Sequence, residues 1–352
     1  MTPAPRRGPV KVLIVDDSEA SRSAIEAMLA ERPGLSVVGH ASDGEEALRA
    51  AVRLAPDLVV LDLEMPRMDG FTFLRLLMAQ RPVPVVVVSA QSQRQAVFKA
   101  LELGALDFVA KPEARTPLEE IRAELVEKCE TLGLLTAPRT SGRRGPAVGQ
   151  AHRATATVEP PRVVVVGAST GGPQAVQTLL ESIPAAVPLA MLLAQHMPEK
   201  FTATFAERLS RRSSFSVREA EDGDVVAVGR VLVAPGGHHL ELARDAGGVL
   251  RAAVRPGERE RGRYCPSVDR LFTSAAALLG PRVCAAVLTG MGNDGEAGVK
   301  AVREAGGLTL AEAEATAVVY GMPLAAVETG AVAEVLGLEA LAARLARFAR
   351  GE

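Results

Sequence analysis

The chain has 352 residues, enough for two average domains that each bury a core, and its 48% hydrophobic and 23% charged residues are ordinary for a soluble globular protein. A net charge of −2 gives no electrostatic case for nucleic acid as the main partner, and 3% aromatic residues with no Trp leave little for base stacking. Three scattered cysteines (Cys129, Cys265, Cys284) fit reduced thiols, no apolar run reaches the roughly 18 residues of a membrane span, and Arg6-Arg7 is followed by no apolar signal segment; the expectation is a cytoplasmic α/β protein without membrane insertion.

Short apolar runs alternate with helical patterns from residue 10 to 132. Val10–Val15, Ser36–Gly39, Leu58–Leu61, Val83–Val88 and Ala105–Val109 are strand candidates, four of them apolar at nearly every position, as strands buried on both faces are. Helical stretches such as Glu19–Glu31, Gly44–Leu54 and Gln93–Leu103 lie between them, which predicts a parallel, doubly wound sheet with right-handed crossovers. In such a sheet ligands sit outside the carboxyl ends of the strands. There the sequence places Asp16-Asp17, Asp62, Ser89 and Lys111-Pro112. Three converging carboxylates repel one another unless a hard cation such as Mg²⁺ neutralises them. Asp62 is then placed to accept a phosphoryl group as an acyl phosphate, with Lys111 offsetting charge on its oxygens.

The motifs Asp16-Asp17, Asp62 to Gly70, Ser89-Ala90 and Lys111-Pro112 resemble a response-regulator receiver domain over the whole segment. The resemblance implies a flavodoxin-like fold, Asp62 as phosphoacceptor, and Asp16, Asp17, Asp62 and the Glu64 carbonyl as metal ligands. It also implies Ser89 and Phe108 as a hydroxyl–aromatic switch and Lys111 as the phosphate contact. A receiver is a switch, and no basic helix-turn-helix follows as an output. Residues 133–160 are rich in Pro, Gly, Arg, Ala and Thr without apolar periodicity and read as a flexible linker. The expected division is therefore a first domain over 8–132, the linker over 133–160 and a second domain over 161–350.

The second domain opens on the strand Val163–Val166, followed by strand candidates Leu189–Ala194, Arg230–Ala234, Val283–Leu288 and Leu308–Ala311. Helices are expected over Pro173–Ser182, Lys200–Ser210, Val268–Leu279, Glu296–Ala305 and Leu338–Arg347. The first strand runs into Gly167-Ala168-Ser169-Thr170-Gly171-Gly172-Pro173, a G-x-S-x-G turn that exposes a hydroxyl at a helix N-terminus. A rival reading is a dinucleotide loop with Ser in place of the middle glycine. That reading wants a carboxylate at the end of the next strand, and the chain has Gln195-His196-Met197-Pro198 there. An imidazole at that place suits a general base.

Of five histidines, His40 falls in the first domain, His152 in the linker, and His238 and His239 after the turn Pro235-Gly236-Gly237. His196 is the best placed base, with His239 as the alternative. Asp294, in the glycine-flanked segment after Val283–Leu288, is the candidate to hold the His196 tautomer; its structural alternative is to cap the helix beginning near Glu296.

The order Ser, His, Asp departs from that of α/β-hydrolases. The domain instead resembles the catalytic domain of the chemotaxis protein-glutamate methylesterase, CheB. The motifs are Gly167–Pro173, Gln195–Pro198, Ala234–Gly237, Pro266–Asp269, Leu288–Gly295 and Val318–Pro323. Two doubly wound parallel-sheet domains, receiver and Rossmann-like methylesterase, then match the family end to end. The resemblance implies phosphorylation-activated hydrolysis of glutamyl methyl esters on methyl-accepting chemoreceptors, with release of methanol, and deamidation of receptor glutamines. It implies Ser169 as nucleophile, His196 as base, Asp294 as its orienter, and the Met291 amide in the oxyanion hole. A histidine kinase would donate phosphate, Mg²⁺ would serve the receiver alone, and the esterase step would need no cofactor. Glu312 and Ala313 stand where the family has Gln-Asp, and Leu324 where it commonly has a basic residue. The competing class is a phosphorylation-dependent binding module with an idle esterase fold.

Overall fold

Segments apolar at every position rather than every second one, such as Val-Val-Val-Val in both halves, form strands buried along their whole length. The structure, a computed structural model, describes residues 8–111, 118–135, 162–257 and 264–352. The chain divides into two compact units, Met1–Ser141 and Gly142–Glu352. The border, with the arginines and His152 of the expected linker and with Pro112, lies outside the described residues.

In the first unit β1 (Val10–Val15), α1 (Glu19–Ala30), β2 (Leu35–Ala41), α2 (Gly44–Leu54), β3 (Leu58–Leu61), α3 (Gly70–Gln80), β4 (Val85–Ser89), α4 (Arg94–Glu102), β5 (Asp107–Ala110) and α5 (Leu118–Leu132) alternate. The sheet is parallel with order β2-β1-β3-β4-β5. Helix starts are set by side chains that accept orphan amides: Ser18 from Ser21, Asp43 from Glu45 and Glu46, and Asp69 from Thr72.

The second unit holds β6 (Val163–Ala168), α6 (Gly172–Ser182), β7 (Ala190–Gln195), α7 (Phe201–Arg212), β8 (Ser216–Glu219), β9 (Arg230–Val233), β10 (His238–Arg244), β11 (Leu250–Pro256), α8 (Val268–Leu279), β12 (Val283–Val287), α9 (Glu296–Glu304), β13 (Leu308–Glu312), α10 (Met322–Glu328), β14 (Glu334–Leu336) and α11 (Leu338–Arg350). Its seven-stranded parallel sheet has the order β14-β13-β12-β6-β7-β9-β8. The chain leaves β6 toward β7 and later returns to the other side of β6 at β12, so strand order reverses at the sheet centre. Ligand crevices form at such a point. Leu271 and Phe272 of α8 belong to the core with Val165, Leu192 and Leu242.

Several elements differ from the sequence reading. β8, β10, β11, α10 and β14 are additional. Directly after the turn, His238 and His239 open β10 of an antiparallel hairpin, and the hairpin packs on α8. Among the described residues no helix is long and apolar enough to cross a membrane.

Candidate active site and acidic cluster

Register brings three of the expected residues to one edge. Ala168 of β6 pairs with Gln195 of β7, so Ser169 and His196 are the next residues beyond adjacent strand ends, and the His196 amide donates to the Ala168 carbonyl at 2.9 Å. On the other side of β6, the Leu288 amide donates to Gly167 and the Ser169 amide to Thr289, at 2.9 and 3.0 Å. Ser169 is half-buried. Gly290 sits against it so closely that a Cβ there would meet the Ser169 Cβ and the Met322 sulfur. The Met291 amide donates to no backbone carbonyl among the described residues.

His196 Nε2 lies 2.8 Å from Asp294 Oδ2. A carboxylate accepts only, so Nε2 carries the proton and Nδ1 of the neutral ring is the free base. Tyr264 stacks on the imidazole with centroids 4.7 Å apart and planes 4° from parallel. His239, the alternative base, is buried and its Nδ1 accepts the Ser267 amide at 3.2 Å, a structural use of that nitrogen.

Asp294 does not cap the helix that follows it: α9 starts from Gly295 with no side-chain cap. Its carboxylate instead covers the start of α8, accepting from Val268 N at 2.7 Å, Asp269 N at 2.9 Å and Ser267 Oγ at 3.2 Å. Asp269 returns the favour, accepting from Gly295 N and Gly298 N at 3.0 and 2.7 Å. Burial works to raise the Asp294 carboxyl, but the His196 hydrogen bond and charge and the two amides outweigh it, and the group is held below the ordinary carboxylate range. The amide donors at the α8 N-terminus act in the same sense.

Three polar residues beside Ser169 were not given roles from sequence. Gln195 Nε2 donates to the Ser169 and His196 carbonyls. Thr289 Oγ1 donates to the Thr170 carbonyl at 2.9 Å. Glu312, fully buried at the end of β13, accepts the Thr289 amide at 2.8 Å, and burial pushes its carboxyl up. Tyr264 and Glu312 carry no local signal of their positions. Ser267 does: Ser before an apolar run marks a helix start.

In the first unit one oxygen each of Asp16, Asp17 and Asp62 lies within 4.8 Å of the others, the group among the described residues suited to a metal ion. Three carboxylates at that spacing fit a hard, oxygen-seeking cation. Lys111 Nζ is 2.5 Å from Asp62 Oδ2 and 3.1 Å from Asp16 Oδ2. Burial pushes the Asp16 carboxyl up against the lowering effect of the Ser18 amide and Lys111, while the two carboxylates raise Lys111 in spite of its burial. Asp62 Oδ1 accepts the Leu63 amide at 2.7 Å. A cleft of about 670 Å³ opens over Asp17, Asp62, Glu64 and Lys111. Ser89 is buried and its Oγ donates to Gln93 at 2.5 Å; Phe108 is buried within β5.

The family model described as CheB methylesterase matches residues 164–345, and that of the response regulator receiver domain matches residues 12–122. A protein of Anaeromyxobacter dehalogenans named protein-glutamate methylesterase/protein-glutamine glutaminase 6 is 62% identical over 98% of this chain and 97% of its own. One of Geobacter sulfurreducens, bearing the same name with the number 3, is 47% identical over 94% and 95%. The crystal structure of the Thermotoga maritima CheB methylesterase catalytic domain is 35% identical, with a TM-score of 0.52 over 54% of this chain and 99% of that one. With a receiver domain ahead of a methylesterase domain, the chain belongs to the family of protein-glutamate methylesterases/protein-glutamine glutaminases.

Proposed function

We propose that the chain hydrolyses glutamyl methyl esters, and deamidates glutamines, on methyl-accepting chemoreceptors in the cytoplasm, under control of a histidine kinase. The observation that carries the esterase reading is the 2.8 Å contact of His196 Nε2 with Asp294 next to Ser169, on neighbouring strand ends. In this reading Ser169 Oγ attacks the γ-carbonyl carbon and its proton passes to His196 Nδ1. Asp294 holds the tautomer and stabilises the imidazolium, and the Met291 amide faces the oxyanion. The tetrahedral adduct collapses with loss of methanol, or of ammonia from glutamine, which leaves with the proton from His196. Water, deprotonated by the same nitrogen, then releases the γ-carboxylate and restores Ser169. All of these groups belong to the second unit.

Control is assigned to Asp62, whose carboxylate would take phosphate from the kinase, with Lys111 on the phosphate oxygens and Ser89 and Phe108 as the switch pair. Asp16, Asp17, Asp62 and the Glu64 carbonyl are the residues that would hold Mg²⁺, which when bound screens the carboxylates and the phosphoryl charge. The unphosphorylated receiver would hold the esterase at its basal rate. The experiment is methanol release from methylated receptor membranes with and without a small phosphodonor. Wild type should be activated by the phosphodonor, Asp62→Asn should stay at the basal rate, and Ser169→Ala should release none. Unchanged release by Ser169→Ala rejects the esterase reading; equal activation of Asp62→Asn rejects the control reading.

A further inference from the structure

Gln195 takes no part in the steps above, yet its side chain, 1% exposed, touches the backbone of both residues that exchange the proton. Its Nε2 donates to the Ser169 carbonyl at 2.9 Å and to the His196 carbonyl at 3.1 Å. Only the NH₂ end of an amide can face two carbonyl oxygens, so the orientation of the group is fixed. Oε1 therefore turns toward the start of α6, where it is buried without a hydrogen-bond partner among the described residues. A Cβ on Gly172 would overlap that oxygen. The second glycine of Gly171-Gly172 is thus the space in which the amide sits.

The peptide groups flanking Ser169 are held from both neighbouring strand ends. Its N–H donates to Thr289 beyond β12, and its carbonyl receives Gln195 from β7 and the Gly172 amide at 2.8 Å. A buried acceptor without a partner costs stability. A side chain that leaves one at a strand end, while joining two loops by its other end, fits a site kept for geometry.

We infer that Gln195 is a positioning residue that ties the Ser169 and His196 backbones together, and that residue 172 is glycine to admit its amide. The inference rests on Ser169 as nucleophile and His196 as base. Proton transfer between them requires a fixed separation, and misplacement by about 1 Å is enough for roughly a 100-fold loss.

The test measures kcat and KM for methanol release from methylated receptor membranes by the phosphodonor-activated full chain, with melting temperatures alongside. Gln195→Met, similar in size and without the amide, should lower kcat about 10- to 100-fold with KM unchanged and the fold retained. Gly172→Ala, which displaces the same amide, should lower kcat comparably, and the double variant should be no worse than either alone, because both remove one clamp. Should Gln195→Met fail to fold, Gln195→Glu of the same shape serves: buried against two carbonyls its carboxyl takes up a proton and donates to one of them only, so one arm of the clamp is lost and kcat should still fall about 10-fold. A folded Gln195→Met or Gln195→Glu within twofold of wild-type kcat, a loss confined to KM, or losses that multiply in the double variant would overturn the inference. Ser169→Ala separates the two readings. If it still releases methanol the nucleophile is wrong, whereas an inactive Ser169→Ala beside a fully active Gln195→Met condemns the clamp alone.

Discussion

Replacing Asp294 by Asn is the sharpest test of the reading that one carboxylate serves both fold and chemistry. The carboxylate accepts at two oxygens: Oδ2 from His196 and Val268, Oδ1 from Asp269 and Ser267. An amide has one acceptor oxygen, so its NH₂ must face the Val268 N–H or the Asp269 N–H. One buried amide is then left without an acceptor, at a cost of about 1–3 kcal/mol. For a domain of this size 2 kcal/mol corresponds to a fall of about 4–8 °C in melting temperature. The negative charge beside the imidazolium is lost in either orientation, and kcat should fall about 10⁴-fold, the scale of the equivalent change in a serine protease triad.

The same group sets an acid limit. Its carboxyl is held below its unfolded value, so its stabilisation is complete above about pH 4 and is lost as pH falls through the lower, folded-state value. Asp294→Asn should lack that loss. Differential scanning calorimetry between pH 7 and 3 and methanol release at pH 7 are the assays. A variant that melts with the wild type at pH 7 and retains kcat within twofold would refute both halves of the reasoning.

Glu312 runs the other way: burial raises its carboxyl, so the folded state binds the proton more tightly and loses stability as pH climbs above the unfolded value of about 4.3. Glu312→Gln should therefore melt higher than wild type at pH 7–8 and equal to it near pH 4, read by thermal melts across that range. Tyr264→Ala removes the stack on His196 and should lower kcat about 2- to 10-fold, the value of a ring contact, whereas Tyr264→Phe should keep kcat; steady-state methanol release distinguishes them. In the first unit Lys128 lies 3.2 Å from Asp107 and 2.7 Å from Glu124, and those carboxylates raise it despite its burial. Lys128→Met removes the ammonium held between Asp107 and Glu124 and should destabilise that unit in a urea melt.

The central strands were legible because burial on both faces writes itself as an unbroken apolar run, and β3 was read to the residue. The edges were not. β8 is Ser-Val-Arg-Glu and β14 has three residues, since a strand paired on one side needs neither length nor a full apolar set. β10 contains Leu-Glu-Leu-Ala-Arg, strong helix formers, and is a strand because its partner β11 and α8 cover it. At the site, the strand-end rule brought out Ser169, His196 and Asp294, but spacing cannot reveal that Asp294 meets amides 25 and 26 residues earlier in the chain. Tyr264 was hidden for the same reason: its stacking partner is 68 residues before it (264 − 196). Long-range contacts leave no periodic trace.

Both units gather acidic side chains at the carboxyl ends of parallel strands, yet the electrostatic outcome is opposite, and counting donors shows why. Around Asp294 each oxygen has two donors, the protein itself satisfies the charge, and the carboxyl is lowered although it is buried. In the first unit, among the described residues, the three carboxylates have Lys111 as the cation contacting two of them, and each Asp16 oxygen has one donor, the Ser18 amide or Lys111. Burial outweighs these, the Asp62 charge acts in the same sense, and Asp16 is raised. Asp294 is thus a finished site that gains nothing from a cation. The Asp16–Asp17–Asp62 cluster is unfinished, and an added positive charge would relieve its repulsion. Removing a carboxylate from each should have opposite effects on stability: Asp294→Asn destabilises for want of an acceptor, while Asp17→Asn, at an exposed position, relieves repulsion and should stabilise the unit in metal-free buffer. Melts in chelator that show Asp17→Asn less stable than wild type would contradict that count of charges.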